Sequence, residues 1–251
     1  MIKEQRQERI LSELAKRGSV GVVELSKLLG VSEATVRRDL GELAGHGLLR
    51  RTHGGAALVE RGEELPYHAK AAAYLPEKRR IGAAAAALLE PGQVIGCTGG
   101  TTVAQAARLL QGKRLVVVTN ALNIALELAG SEETDVIMTG GALRSRSLET
   151  VGHIAERSFR EFCIDVALLG ADGISIKEGI TTYHLAEAHA NRVLVERSRE
   201  VWVLADHSKL GKVTPAVIGP VSRMTRLITD AGAPDDFVAS LREQGIDVVV
   251  V

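Results

Sequence analysis

Gly18-Ser-Val-Gly-Val-Val-Glu-Leu-Ser-Lys-Leu-Leu-Gly-Val-Ser-Glu-Ala-Thr-Val-Arg-Arg-Asp-Leu40 decides the reading of this chain, together with Gly47-Leu-Leu-Arg-Arg-Thr-His-Gly-Gly55 just beyond it. Val22–Leu29 reads as a short amphipathic helix that buries Val23, Leu25 and Leu28 or Leu29. Gly30 supplies the positive φ of a tight turn, and Ser32 is placed to cap the next helix with its hydroxyl. Val36, Leu40 and Leu43 then recur at helical spacing and face a core, which turns Glu33, Thr35, Arg37 and Arg38 outward. Residues 48–58 read as two short strands around a Gly54-Gly55 turn, with Arg50, Arg51 and His53 on or beside this wing. Ahead of these, Lys3–Arg17 is a helix with Ile10, Leu11 and Leu14 on one face, stopped at Gly18.

A helix, a turn, a second helix and a basic wing in that order form a winged helix-turn-helix, which addresses double-stranded DNA through the N-terminal part of its second helix. One of Arg37 and Arg38 is expected to read a base and the other to hold the backbone. Thr35 is a further contact to a base or a phosphate, and Arg50, Arg51 and His53 lie near the sugar-phosphate chain.

Charge follows the same division. The 251 residues carry no net charge, but residues 1–61 hold eleven Lys/Arg against eight Asp/Glu, and the remainder holds 20 against 23. A mildly basic head on a mildly acidic body suits a DNA reader joined to a small-molecule domain. Cys97 and Cys163 lie far apart with no metal-ligand spacing, and both read as reduced, buried and structural. Neither a membrane span nor an apolar signal core is visible, so the expectation is a cytoplasmic protein with no membrane partner.

Residues 1–58 are taken as the DNA-binding domain, 59–75 as a linker with Gly62, Pro66 and the Glu63-Glu64 pair, and 76–251 as the second domain. Pro76 opens a helix running to about Leu89, with Ile81, Ala84, Ala85 and Leu88 buried, and Pro91-Gly92 ends it. Short apolar runs follow at 94–97, 115–119, 136–138, 166–169, 201–204, 227–229 and 248–251. Helical patterns lie at 102–110, 121–129, 154–162, 185–197 and 235–244. Strands apolar at consecutive residues are buried on both faces, which implies a mainly parallel, doubly wound α/β sheet.

Ligands of such sheets bind beyond the carboxyl ends of the strands. Those ends carry Thr98-Gly99-Gly100-Thr101-Thr102, Asn120, Gly140-Gly141, Gly170-Ala-Asp172-Gly173 and Asp206-His-Ser-Lys209. The first of these is the phosphate candidate: its glycines let backbone amides come close to an anion, and Thr101 and Thr102 add hydroxyls. It is neither a Walker loop nor a dinucleotide fingerprint. Lys209 can balance charge, Asp172 can accept from sugar hydroxyls, and Glu187 is either a further acceptor or a solvated helix charge.

Both halves resemble the DeoR family of bacterial transcriptional regulators. The head does so through residues 29–40 and Arg51-Thr-His-Gly-Gly-Ala56. The body does so through Gly99-Gly-Thr-Thr102, Val118-Thr-Asn120, Gly140-Gly141, Gly170-Ala-Asp-Gly-Ile174 and Asp206-His-Ser-Lys-Leu-Gly211. The resemblance implies a body similar to sugar-phosphate isomerases that senses a phosphorylated sugar, a repressor of sugar catabolism, and a homodimer or homotetramer. It implies no cofactor and no metal. Many family members carry an aspartate where this chain has Thr98, which bears on the hydroxyls that are read. The alternative is a sugar-phosphate isomerase with an accessory DNA-binding domain. Related isomerases place a second acid directly after the loop aspartate, and here that position is Gly173, so the expectation is binding without turnover.

Overall fold

The computed structural model describes residues 1–45, 48–57 and 64–251, and it divides into two compact units, 1–75 and 76–251. The boundary read at 58/59, with Gly62 and Glu63, lies outside the described residues.

In the first unit, α1 (Lys3–Arg17), β1 (Ser19–Gly21), α2 (Val22–Leu29), α3 (Glu33–Gly45), β2 (Arg50–Thr52) and β3 (Gly55–Ala57) follow in chain order. Gly18 (φ 78°) and Gly30 (φ 65°) end α1 and α2 in the left-handed conformation, where a Cβ is costly. Ile10, Leu11 and Leu14 of α1 share a core with Leu25, Leu29, Val36, Leu40 and Leu43. Within α2 the buried set is Val22, Leu25 and Leu29, while Val23 and Leu28 are exposed. The expected phase is therefore one residue off at Val23, because Val22 directly follows β1 and turns into the core. The wing also differs in detail. Thr52 pairs with Gly55, so His53 and Gly54 form the turn and Gly55 belongs to the strand. A Cβ at Gly55 would run into the Val20 carbonyl, which fixes the glycine there. Inside the 59–75 segment, Tyr67–Ala72 forms a helix, α4, whose Ala69 and Ala72 join the head core.

The second unit opens with α5 (Leu75–Leu88), which buries Lys78, Ile81, Gly82, Ala85 and Ala86. Leu88 is exposed and Ala84 only half-buried, against expectation, and Leu89 takes the core position instead. Seven strands then form one parallel sheet: β4 (Val94–Cys97), β5 (Leu115–Thr119), β6 (Thr134–Met138), β9 (Ile164–Gly170), β12 (Ser198–Leu204), β14 (Arg226–Thr229) and β15 (Asp247–Val250). Between them lie α6 (Thr101–Ala107), α7 (Leu122–Leu128), the hairpin β7 (Ala142–Arg144) and β8 (Glu149–Val151), α8 (His153–Arg160), α9 (Leu185–Arg197) and α10 (Asp235–Glu243). A small antiparallel sheet of β10 (Gly173–Ser175), β11 (Gly179–Thr182) and β13 (Ala216–Gly219) completes the unit.

Successive strand residues feed opposite cores. Val166 and Leu168 pack with Ile81, Ala106 and Ile124, whereas Ala167 and Leu169 pack with Phe159, Leu194 and Leu241. This two-sided burial is why the strands read as unbroken apolar runs. Cys97 is buried, and burial pushes its thiol up to about 12. Cys163 is exposed, contrary to expectation, because it precedes β9 outside the packed layer.

The strand order is β15-β14-β12-β9-β4-β5-β6, with every neighbouring pair parallel. From β4 the chain proceeds outward through β5 and β6, then returns to β9 on the other side of β4 and proceeds the opposite way. The reversal places a crevice at the carboxyl ends of β4 and β9.

Candidate functional site

In the head, α3 presents one polar face. Ser32 Oγ accepts from Thr35 N at 3.2 Å, the cap read from sequence, and lies 3.0 Å from the Thr35 hydroxyl. Arg37 donates to Glu33 at 2.6 Å across one helical turn, an exposed pair, and Arg38 is exposed beside it. Arg50, Arg51 and His53 are exposed on the wing. One residue that sequence reading left out sets the helix itself. Asp39, buried beside Val36, Leu40 and Leu43 on the packed side of α3, takes a two-pronged bond from Arg6 of α1, Nε to Oδ2 at 2.5 Å and a terminal nitrogen to Oδ1 at 3.0 Å. The paired fork fixes the angle between α1 and the reading helix.

In the body, the parallel sheet delivers the ends of β5, β4, β9 and β12 side by side to one rim. Thr98 turns inward. Its hydroxyl donates to Gly99 O and accepts from Gly170 N, both at 3.0 Å, stitching β4 to β9 across the crevice. A Cβ on Gly170 would meet the Gly99 carbonyl, so two glycine-bearing segments touch there. Gly100 (φ 126°) opens α6, and Thr101 and Thr102 are buried in its first turn. Helix-start amides have no intrahelical acceptor. Gly99 N, however, donates to the Glu149 carboxylate of β8 at 2.7 Å.

Asn120 is fully buried at the end of β5. Its side-chain nitrogen donates to Thr150 O at 3.2 Å, and its Oδ1 has no hydrogen-bond partner among the described residues. Gly140 and Gly141 serve the hairpin: Gly141 (φ 127°) lets the chain pass close to Val151 O, and Gly140 lies against Ile154. Asp172 and Glu187 are both buried, and both lie against the Thr182 hydroxyl, at 3.0 and 3.1 Å. Glu187 also accepts from Arg144 of β7 at 2.7 Å, so it is a buried, partnered carboxylate rather than a solvated helix charge. Lys209 sits half-buried in the turn after Asp206, its amide bonded to Asp206 O at 3.0 Å.

Two further supports brace that turn. Asp206 Oδ1 accepts from Ser208 N and Oγ, and buried Lys78 stands 3.9 Å from its Oδ2. Asp230 accepts from His207 N and Nδ1, each at 2.8 Å, and from Gly232 N at 3.0 Å. Burial pushes the Asp230 carboxyl up, but the bonds from His207 and Gly232 outweigh it and hold it below the usual carboxylate range. Glu149, Arg144, Thr182 and Lys78 were not foreseen, since each owes its place to pairing between distant segments.

Over residues 6–62 the chain matches the DeoR-like helix-turn-helix domain, and over residues 74–231 the DeoR C terminal sensor domain. The chain belongs to the DeoR family. It is 34% identical to the putative aga operon transcriptional repressor of Escherichia coli O157:H7, over 98% of this chain and 93% of that protein. It is also 34% identical to the glycerol-3-phosphate regulon repressor of Escherichia coli K12, over 97% of each. As a DeoR-family protein the chain is a DNA-binding transcriptional regulator, and these relatives are regulators rather than enzymes. Among solved structures it is similar to ribose 5-phosphate isomerase A from Methanocaldococcus jannaschii, at 19% identity over 54% of this chain and 55% of that one, with a TM-score of 0.40. Among the described residues no helix of this DeoR-family chain is long and apolar enough to cross a membrane, and no group of three His, Cys, Asp or Glu is arranged to hold a metal.

Proposed function

We propose that this DeoR-family regulator represses a sugar-catabolism operon and that a phosphorylated sugar bound in the β4/β9 crevice sets its grip on the operator. The carrying observation is the reversal of strand order at β4 and β9, with a glycine loop on one side and buried hydrogen-bonding groups on the other. The phosphoryl group lies against the amides of Gly99, Gly100 and Thr101, with Thr102 and Lys209 beside it. Asp172 and Glu187 take the sugar hydroxyls. Asn120 Oδ1, buried and unpartnered among the described residues, supplies one more acceptor to a donor from the ligand. The names of the two repressor relatives, one of a glycerol-3-phosphate regulon, support this class of metabolite.

On the DNA side, Glu33, Thr35, Arg37 and Arg38 enter the major groove behind the Ser32 cap, and Arg50, Arg51 and His53 follow the backbone. The regulator acts as a homodimer or homotetramer, matching a two-fold operator. Control requires the ligand to bind the DNA-competent and DNA-incompetent states unequally, because tight binding to both shifts nothing.

The test uses a duplex selected by the protein from a random pool and a panel of sugar phosphates. One of them should change duplex affinity, and Thr101→Val with Lys209→Ala should abolish that change while sparing DNA binding. An undiminished response in the double variant would place the pocket elsewhere.

A further inference from the structure

Besides backbone bonds from Leu122 N to Leu148 O at 2.8 Å and from Thr150 N to Asn120 O at 2.7 Å, the β7–β8 hairpin meets the rim through two charged contacts at residues opposite one another in its register, Arg144 and Glu149. Each contact takes a group that the phosphorylated-sugar reading assigns to the ligand. Glu149 brings a carboxylate to Gly99 N at 2.7 Å, where the phosphoryl group belongs. Its side chain fills the open face of Gly99 so fully that a Cβ there would collide with Glu149 Cγ and Cδ. Arg144 brings a donor to Glu187 at 2.7 Å, where a sugar hydroxyl belongs. An anion at one end and a donor at the other is the polar outline of a sugar phosphate. We propose that the β7–β8 hairpin is a built-in stand-in for the ligand, and that binding displaces Glu149 from Gly99 and Arg144 from Glu187.

This rests on the phosphate reading above and adds what occupies the cradle beforehand. Glu149 is buried, and two anions cannot share one amide without strong repulsion. A phosphate monoester carries about −1.5 to −2 charge and three acceptor oxygens, more than a single carboxylate offers, so it can win the exchange where a monocarboxylate ligand cannot. The hairpin is also held against a local preference. Leu148, directly before Glu149, has φ 62°, a conformation that a leucine adopts at a cost and that movement of the hairpin would relieve. The strand pair is short, three residues on each side, and the backbone bonds that tie β8 to Asn120 and Leu122 lie outside the seven-stranded ladder, so displacement breaks those bonds and leaves that sheet whole.

Calorimetric titration of the full chain with inorganic phosphate, in wild type, Glu149→Ala and Glu149→Gln, tests the exchange. Glu149→Ala should bind phosphate roughly tenfold more tightly or better, the scale of one charge-assisted hydrogen bond. Glu149→Gln, which keeps an acceptor near Gly99 and removes the charge, should gain several-fold and guards against a folding defect in the alanine variant. In wild type, saturating phosphate should speed amide exchange across residues 142–151. Phosphate binding with no gain in either variant, or a hairpin that becomes more protected, overturns the stand-in and leaves the phosphate site in place. No binding by wild type or by either variant overturns both.

Discussion

The head and the body hold the polar groups proposed to bind DNA and ligand in opposite ways. On α3 and the wing, Arg37, Arg38, Arg50, Arg51 and His53 are exposed, and the ion pair of Arg37 with Glu33 lies in solvent. At the rim of the body, Thr98, Asn120, Asp172, Glu187 and Glu149 are buried and bonded to one another's segments. A DNA groove supplies its own walls and charge, so its reader needs only a rigid helix with loosely engaged side chains. A small ligand supplies neither, and its site must be built in advance from desolvated groups that already have partners. The head should therefore fail when its scaffold fails, and the body when its internal bonds are altered.

The largest effect is expected at Asp39. Asp39→Ala leaves the Arg6 guanidinium, whose side chain is only 12% exposed, without its counter-charge, at a cost of about 3–5 kcal/mol. The single tryptophan, Trp202, lies in β12, so its fluorescence follows the body, whereas circular dichroism follows both units. The variant should lose part of its helical signal at low denaturant while the tryptophan transition stays put. A joint shift of both signals would mean that the two units unfold as one.

Next comes Asp230→Asn, which weakens the charged bonds that hold the His207 turn, by about 1.5–3 kcal/mol at neutral pH. The sign with pH follows from the lowered carboxyl of Asp230. Its stabilisation is complete above the unfolded-state value of about 3.9 and is lost as pH falls through the lower folded-state value. The gap between wild type and variant, read by Trp202 fluorescence, should thus close in acid. A gap that is constant with pH would show the role of Asp230 to be packing rather than charge.

Arg37→Ala should cost DNA affinity by about 1–3 kcal/mol if the guanidinium reads a base, with specificity relaxed at one position. Its pair with Glu33 is exposed, so protein stability should change by no more than about 0.5 kcal/mol. Arg38→Ala should show the complementary pattern, a uniform loss across sequences and a shallower dependence on salt. Identical patterns for the two would end the division of labour between them.

Much of this contrast is legible in the sequence, for a physical reason. Ile10, Leu11 and Leu14, or Leu115 to Thr119, report periodicity directly, and parallel strands deliver their ends to one rim whatever the details of packing. The placement of Thr98, Asn120 and Asp172 just beyond strand ends is therefore legible in the sequence. Phase and pairing are another matter. Val23 and Leu28 are as apolar as Val22 and Leu29, and only the entry from β1 decides which pair turns inward. Arg144 and Glu149 sit in three-residue strands too short to show a period, in the run Arg-Ser-Arg-Ser-Leu-Glu that reads as a polar loop. Lys78 lies in Glu-Lys-Arg-Arg, and nothing local distinguishes the one lysine there that α5 turns into the core.

The smallest expected effect probes the boundary between scaffold and contact at Ser32. Its hydroxyl satisfies Thr35 N, and loss of such a cap costs about 1 kcal/mol in Ser32→Ala but only a few tenths in Ser32→Gly. If capping is its whole contribution, DNA affinity should follow that order, with alanine worse than glycine, because fraying of the first turn displaces Glu33 and Thr35 together. If the hydroxyl also touches the duplex, alanine and glycine remove the same group and should weaken binding about equally, while head stability still separates them. Measuring stability and duplex affinity on the same two variants thus assigns Ser32 either to the rigid frame of the reader or to its reading face.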